Sequence, residues 1–194
     1  MNDDFVIWKY ATVPSACVLK PLVGLDKSFR LLEGVPLHNG FPTTVQFHMD
    51  SDFPNDLVLP DNLLNPDFCI VASDRLAAAL KARNVAHMEY LPVTIIDHKG
   101  RTASSKHVIV HPVEPVDCID AAQSVFDLSR INKNRINSFK KLVLDTTRIP
   151  ADRQIFRLKG FWKIVLVRLD LAQSLGKEGF SGLGWLPIQD YPEK

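Results

Sequence analysis

Seven prolines between residues 11 and 67 limit what the first third of the chain can fold into. Each proline lacks a backbone N–H donor and restricts the residue before it, so a long helix is excluded from this segment. The prolines are at positions 14, 21, 36, 42, 54, 60 and 66. We therefore predict that residues 11–67 are rich in loops and serve as a binding surface. Short strands are predicted over Phe5–Tyr10, before this segment, and over Thr43–Met49, within it.

After residue 67 the apolar spacing becomes regular and predicts a strand–helix–strand unit. A helix over 73–83, N-capped by Ser73, stands between strands over 68–72 and 88–98. A turn at Lys99-Gly100 continues the last strand into a hairpin. The other predicted elements are strands over 106–113, 139–145, 154–159, 163–168 and 183–189, a helix over 170–178, a loop over 132–137, and a helix or a strand over 121–129.

A second strand–helix–strand unit aligns with the first one at an offset of 95 residues, Ile70–Val93 against Val165–Ile188. The matching apolar pairs include Leu76 with Leu171, Leu80 with Leu175, Val85 with Phe180, and Leu91 with Leu186. Two copies of one packed unit with different surfaces would give this pattern. The predicted fold class is α+β or mixed α/β, strand-rich with few helices and two pseudo-repeated units. We expect a single domain over residues 1–194, with sub-halves 1–120 and 121–194.

Composition places the chain among folded proteins of the cytoplasm. At 194 residues and 46% apolar content it can bury a core without disulfides or a structural metal. No apolar run approaches the roughly 20 residues that span a bilayer, and the acidic start, Met1 to Asp4, is unlike a signal peptide. The three cysteines, Cys17, Cys69 and Cys118, are far apart and odd in number, which indicates reduced buried thiols.

Charge is unevenly distributed along the chain, although the formal net charge is only +1. Residues 31–74 contain seven acidic residues and no Lys or Arg, a net of −7. Residues 130–168 contain eleven basic and two acidic residues, a net of +9. One interpretation is that the two stretches neutralise each other in the fold. The other is that the acidic stretch steers and holds a basic partner such as a nuclease, because complementary potentials raise association rates.

No catalytic signature can be assembled from the sequence. The phosphate-binding motif G-x-x-x-x-G-K-[ST] is absent, and Gly179–Gly184 fits neither a dinucleotide motif nor a nucleophile elbow around Ser181. His107 and His111 fall in a β-like run, where they would stand about 13 Å apart, too far to share one metal ion. We therefore predict no enzyme activity, no catalytic residues, no metal and no cofactor.

Two alternatives stay open at this stage. An enzyme would gather perturbed titratable groups in one pocket, around His98, His107, His111 and Asp117, and Cys118 beside Asp117 is the one thiol nucleophile to consider. A nucleic-acid-binding module would use the basic stretch 130–168, although that stretch has few aromatic residues for base stacking.

Several packing and turn segments together resemble a known family. They are Leu59–Leu76, Glu89–Val93, Ile109–Pro112, Pro115–Cys118 and Ile155–Gly160. The chain resembles the type eleven immunity-protein family of bacterial polymorphic toxin systems over most of residues 50–190, and its first 45 residues match weakly. The resemblance implies a cytoplasmic antidote encoded beside a toxin, which is often delivered between bacteria by a secretion system such as type VI and is frequently a nuclease.

The resemblance and the charge pattern together predict a protein–protein interaction as the function. We expect an immunity protein that covers the active site or substrate groove of a basic toxin and performs no chemistry, with neither a membrane nor nucleic acid as partner. The predicted contact residues are Asp50, Asp52, Asp56 and Asp61 on the proline-rich segment, and Trp162 between basic residues at a turn. Trp8 and Trp185 are predicted to be core residues.

Overall fold

A computed structural model describes residues 4–193, and in that range the chain is rich in strands and has three helices. The strands are β1 (Phe5–Tyr10), β2 (Gln46–His48), β3 (Asn62–Leu63), β4 (Ile70–Ala72), β5 (Met88–Ile96), β6 (Thr102–Pro112), β7 (Val125–Leu128), β8 (Ile136–Lys141), β9 (Ile155–Leu158), β10 (Phe161–Arg168) and β11 (Leu183–Pro187). The helices are α1 (Phe29–Glu33), α2 (Asp74–Ala82) and α3 (Leu169–Gly176). The predicted α+β class is confirmed.

The strands form two large sheets and one separate hairpin. The first sheet has the order β11-β1-β10-β9 and is antiparallel throughout. The second has the order β2-β5-β6-β4-β3 and is antiparallel except for the parallel pair of β2 and β5. β7 and β8 pair with each other. Because β1 pairs with β10 and β11, the first strand of the chain lies in the sheet of the last strands, and the division at residue 120 stays a prediction.

In each strand–helix–strand unit, a third strand lies between the two strands that the helix joins, and it runs antiparallel to both. In the second sheet β4 and β5 both pair with β6, and in the first sheet β10 and β11 both pair with β1. The two strands that a helix joins are therefore parallel to each other, with one antiparallel strand between them, in both sheets.

Both faces of each large sheet are covered, which explains why some strands are apolar at every position. On β1, Val6 and Trp8 face a central core that includes α2 and α3, whereas Phe5 and Ile7 face a second core beneath the β7–β8 hairpin. The outer face of the second sheet is covered by the proline-rich segment, which contributes Leu19 among other side chains. This segment is therefore held against the body of the protein.

Most predicted elements are confirmed, with shifted ends. The Ser73 hydroxyl accepts the Leu76 N–H at 3.2 Å and caps α2, and the five-residue α1 is the longest helix among the described residues of the proline-rich segment. Residues 121–129 contain a strand, β7. The strand predicted over 139–145 is wrong in position, because pairing with β7 begins at Ile136 and ends at Lys141. Leu144 instead forms an isolated bridge with Ile119.

The packing of α2 and α3 predicts a matched pair of destabilising substitutions. Leu80 and Leu175 are each fully buried in the central core. We expect Leu80→Ala and Leu175→Ala each to lower the free energy of unfolding by about 3 kcal/mol, because each leaves a cavity. Denaturant titration followed by circular dichroism measures the loss. Gln173→Ala, on the exposed side of α3, is the control and should change stability by less than about 0.5 kcal/mol. Losses below about 1 kcal/mol at both leucines would contradict this packing.

Candidate functional site

The acidic loop, which we define as residues 50–57, holds three of the predicted contact residues. Its first residue, Asp50, donates its N–H to the Val18 carbonyl at 2.8 Å and forms an ion pair with Lys20 at 3.4 Å. Asp52 is exposed and Asp56 is half-buried, and neither has an ion pair among residues 4–193. Two of the three carboxylates of the loop therefore carry a negative charge that no ion pair among residues 4–193 neutralises.

Two adjoining clefts lie next to this loop. The larger cleft, of about 330 Å³, is lined by residues 16–19, Tyr10 and residues 64–66. The smaller cleft, of about 140 Å³, lies between the ends of β1 and β10 and residues 62–70. Tyr10, Leu64 and Asn65 line both clefts. We call the two clefts together the groove.

Hydrogen bonds attach the acidic loop to one wall of the groove. Just past the loop, the Val58 N–H donates to the Ser15 carbonyl at 2.9 Å, and the Val58 carbonyl accepts the Cys17 N–H at 2.9 Å. Burial raises the pKa of Cys17 to about 11, and the negative charge of Asp56 adds to that rise. Cys17 lines the larger cleft and is close enough to Asp56 to be affected by its charge. The acidic loop and the groove are therefore adjacent parts of one surface. We call this surface the candidate site.

The two amide side chains of the smaller cleft are already satisfied within the protein, and the Lys163 ammonium that also lines it donates to the Asn137 carbonyl at 3.5 Å. The Asn62 Oδ1 accepts the Trp8 Nε1–H at 3.1 Å, and its Nδ2 donates to the Gly182 carbonyl at 2.8 Å. The Asn65 Oδ1 accepts the Cys69 N–H at 3.1 Å, and its Nδ2 donates to the Cys69 carbonyl at 2.8 Å. The smaller cleft therefore suits an apolar group, which requires no hydrogen bond.

Asp61 makes internal contacts that set it apart from the other three predicted aspartates. Its carboxylate accepts hydrogen bonds from the Ser73 hydroxyl at 2.7 Å, from Arg75 Nη1 at 2.9 Å, and from the N–H and hydroxyl of Ser181 at 2.9 and 3.0 Å. Burial alone would raise the pKa of Asp61, but these hydrogen bonds and the nearby positive charge outweigh it and hold the pKa below its usual value. Asp61 thus links the start of α2 to the turn before β11, and its role in partner binding stays a prediction.

The structure brings the acidic and basic stretches into contact at the smaller cleft, which residues 62–70 line together with Lys163. Among residues 4–193 no ion pair joins residues 31–74 to residues 130–168. The interpretation that the two stretches lie near each other and neutralise each other therefore stays a prediction, since the Arg157 guanidinium contacts the Phe68 carbonyl but no ion pair joins the stretches in the described part of the chain. Trp162, predicted as a contact, is half-buried with the Arg135 guanidinium 4.1 Å above its ring, so its role as a contact stays a prediction.

Sequence reasoning missed Arg157, which it counted only as part of the basic stretch. This guanidinium is fully buried, and it donates from Nη1 to the Trp162 carbonyl and from Nη2 to the Phe68 carbonyl at 2.8 Å. Burial lowers its pKa. Arg157 thus ties the start of β10 to the segment that lines the smaller cleft. The available signal was one basic residue inside the apolar run Ile155–Leu158.

The residues of the enzyme alternative share no hydrogen bond or ion pair with one another among residues 4–193. The His111 ring bonds the Val35 carbonyl at 2.9 Å, and Asp117 pairs with Arg148 at 3.1 Å. Burial raises the pKa of Cys118 to about 12, so its thiol is protonated at neutral pH and is a poor nucleophile. Within the described part of the chain, no group of three or more His, Cys, Asp or Glu side chains is arranged to hold a metal ion.

Comparison with known proteins identifies the family. The sequence model of the immunity protein family Imm11 matches residues 18–190. The chain belongs to this family. The Imm11 match includes the acidic loop and the segment 62–70, and it extends the resemblance from residue 50 back into the proline-rich segment. A search of curated proteins finds no match. In the described range, 4–193, none of the helices has the length and apolar character needed to cross a membrane.

The contacts of Asp61 predict a pH-dependent loss of stability. We expect Asp61→Asn to lower the free energy of unfolding by about 1–3 kcal/mol at pH 7, because an amide cannot accept all of the hydrogen bonds. Since the folded-state pKa is lowered, the stabilisation is present above the unfolded-state pKa of about 3.9 and is lost as the pH falls through the folded-state value. The difference from wild type should therefore shrink below about pH 4.

Chemical denaturation at pH 7 and pH 3 measures this difference. Asp52→Asn is the matched control, because Asp52 is exposed and has no ion pair in the described part of the chain. The control should change stability by less than about 0.5 kcal/mol at either pH. Equal stability of wild type and Asp61→Asn at pH 7 would contradict the structural role of this carboxylate.

Proposed function

We propose that this chain is an immunity protein that binds and neutralises a toxin encoded beside it. It acts by occlusion, covering the active site or substrate groove of the toxin, and it performs no chemistry of its own. Membership of the Imm11 family supports the toxin-inhibiting role. The observation that carries the binding surface is the acidic loop, whose carboxylates Asp52 and Asp56 lack counter-charges in the described part of the chain, next to a largely apolar groove.

The chemistry of the candidate site defines the partner segment that would fit it. The acidic loop favours Lys or Arg on the toxin, because opposite charges attract and steer the encounter. The smaller cleft, with its amides satisfied internally, favours an aliphatic side chain. The toxin contact is therefore a basic segment with an aliphatic residue, and a nuclease fits this chemistry because it binds a polyanionic substrate through basic residues.

The setting of this activity is part of the same proposal. The protein works in the bacterial cytoplasm, and its toxin belongs to a polymorphic system delivered by a secretion apparatus such as type VI. We further propose that the two strand–helix–strand units are pseudo-equivalent halves. The shared strand arrangement supports this, as do the buried pairs at the 95-residue offset, such as Leu76 with Leu171.

A second candidate function is nucleic-acid binding through the β7–β8 hairpin. The observation that favours it is a group of cations, Arg130, Lys133 and Lys140, that form no ion pair among residues 4–193. The nearby Trp162 ring is covered by Arg135 on one face, which weakens the case for base stacking.

Co-purification with the product of the neighbouring gene tests the proposal, followed by measurement of Kd at several salt concentrations. We expect a tight complex that weakens as salt rises, because salt screens exposed charges. Absence of a complex contradicts the proposal. Binding of DNA or RNA that weakens steeply with salt, and that Arg130→Glu abolishes, would support the second candidate instead.

Charge reversal in the acidic loop tests where the toxin binds. We expect Asp52→Lys combined with Asp56→Lys to raise the Kd about 30-fold, a loss of about 2 kcal/mol, because both carboxylates would then repel a basic partner. Isothermal titration calorimetry measures the change. Asp127→Lys, an exposed aspartate on β7, is the control and should stay within about twofold. An unchanged Kd for the double variant would contradict this binding surface.

A further inference from the structure

Phe68 adopts a conformation that a bulky residue rarely adopts. Its φ is +53°, in the left-handed region, and its side chain is 52% exposed at the wall of the smaller cleft. An aromatic residue with a positive φ is strained by its Cβ, whereas glycine or asparagine would take the same conformation more easily. The fold therefore holds a strained residue whose ring is only half-buried.

Hydrogen bonds hold the backbone at the Phe68 carbonyl and at the residue that follows it. The carbonyl of Phe68 accepts the buried Arg157 Nη2–H at 2.8 Å, and the N–H and carbonyl of the next residue, Cys69, are both held by the Asn65 side chain. Among residues 4–193 Arg157 has no ion pair with a carboxylate, although it is fully buried. A buried charge without a carboxylate is costly. The Arg157 guanidinium instead donates hydrogen bonds to two backbone carbonyls, those of Phe68 and Trp162.

Strained residues are kept where function requires their geometry, and they cluster at ligand clamps. Exposed aromatic side chains beside apolar pockets are the usual anchors of protein–protein interfaces. Phe68 combines a strained backbone with an exposed ring, and it lines the smaller cleft, whose two amide side chains are already satisfied.

We propose that Phe68 is an anchor of the toxin interface, and that Arg157 is the residue that positions it. In the complex the Phe68 ring packs against an aliphatic side chain of the toxin that enters the smaller cleft. The strained backbone keeps the ring in place before the toxin arrives, so that little conformational freedom is lost on binding. This inference rests on the proposed function and names the contact that provides affinity.

Two truncations of Phe68 separate binding from strain. We expect Phe68→Ala and Phe68→Asn each to raise the Kd for the toxin at least tenfold, because both remove the ring. Asparagine tolerates a positive φ better than alanine, so the Asn variant should have the higher unfolding midpoint of the two. Phe68→Tyr keeps the ring and should bind within about threefold of wild type. Calorimetric titration and thermal unfolding provide the two readouts.

Phe29 offers a matched control, since it is 49% exposed and lies outside both clefts. Phe29→Ala should leave the Kd within about twofold. If wild type binds the toxin and Phe68→Ala binds equally well, the anchor is wrong and the proposed function stands. If wild type binds no toxin, the proposed function fails. Equal unfolding midpoints of the Asn and Ala variants would overturn the strain on which the anchor depends.

A double-mutant cycle tests the positioning role of Arg157. We expect Arg157→Lys to raise the Kd severalfold when Phe68 is present, because a lysine lacks the rigid planar fork whose two nitrogens reach the two carbonyls. In the Phe68→Ala background the same change should have no further effect, since the ring that it positions is gone. If Arg157→Lys raises the Kd by the same factor with and without the Phe68 ring, then Arg157 supports the fold but does not position Phe68.

Discussion

The contact between residues 61–62 and residues 181–182 connects the two large sheets, and the candidate site depends on it. The Asn62 N–H donates to the Ser181 carbonyl at 3.0 Å, and Asp61 receives the Ser181 N–H. Gly182 has a φ of +74°, and a Cβ there would lie 2.4 Å from the Asn62 carbonyl oxygen, so only glycine fits. Because Asn62 also accepts the Trp8 N–H, the same contact fixes the floor of the smaller cleft.

The charge distribution follows from how the proline-rich segment is used. This segment covers the outer face of the second sheet with its apolar side chains, which leaves Asp52 exposed and Asp50 and Asp56 half-buried. The basic residues of 130–168 lie on the first sheet, on the β7–β8 hairpin and in the segment between them. Some pair with carboxylates outside the acidic stretch, as Arg153 does with Glu114, and others form no ion pair among residues 4–193. A net charge of +1 therefore hides a protein with regions of opposite charge. A toxin that meets the acidic region is attracted without being repelled by the protein as a whole.

Local patterns predicted the elements whose contacts are close in sequence. The Ser73 cap, the helix after it and the β5–β6 hairpin could all be predicted, because neighbouring residues determine caps, helical spacing and tight turns. The pairing of β1 with β10 could not, since its partners are about 160 residues apart and many strands share the same apolar pattern.

The candidate site was predictable only where its features depend on residues close together in the sequence. Prolines indicated that Asp50, Asp52 and Asp56 lie at the surface, and they do so to different degrees. The internal role of Asp61 depends on Ser181, 120 positions away, and the Phe68 carbonyl is held by Arg157, 89 positions away. Spacing along the chain carries no information about such contacts.

Hydrogen–deuterium exchange of the chain, alone and saturated with its toxin, tests most directly whether the candidate site is where the toxin binds. We expect slower exchange on binding in residues 50–58 and 62–69, with residues 125–141 of the hairpin unchanged, because amides covered by a partner open less often to solvent. Protection confined to the hairpin, with the acidic loop and the groove exchanging as in the free chain, would contradict it.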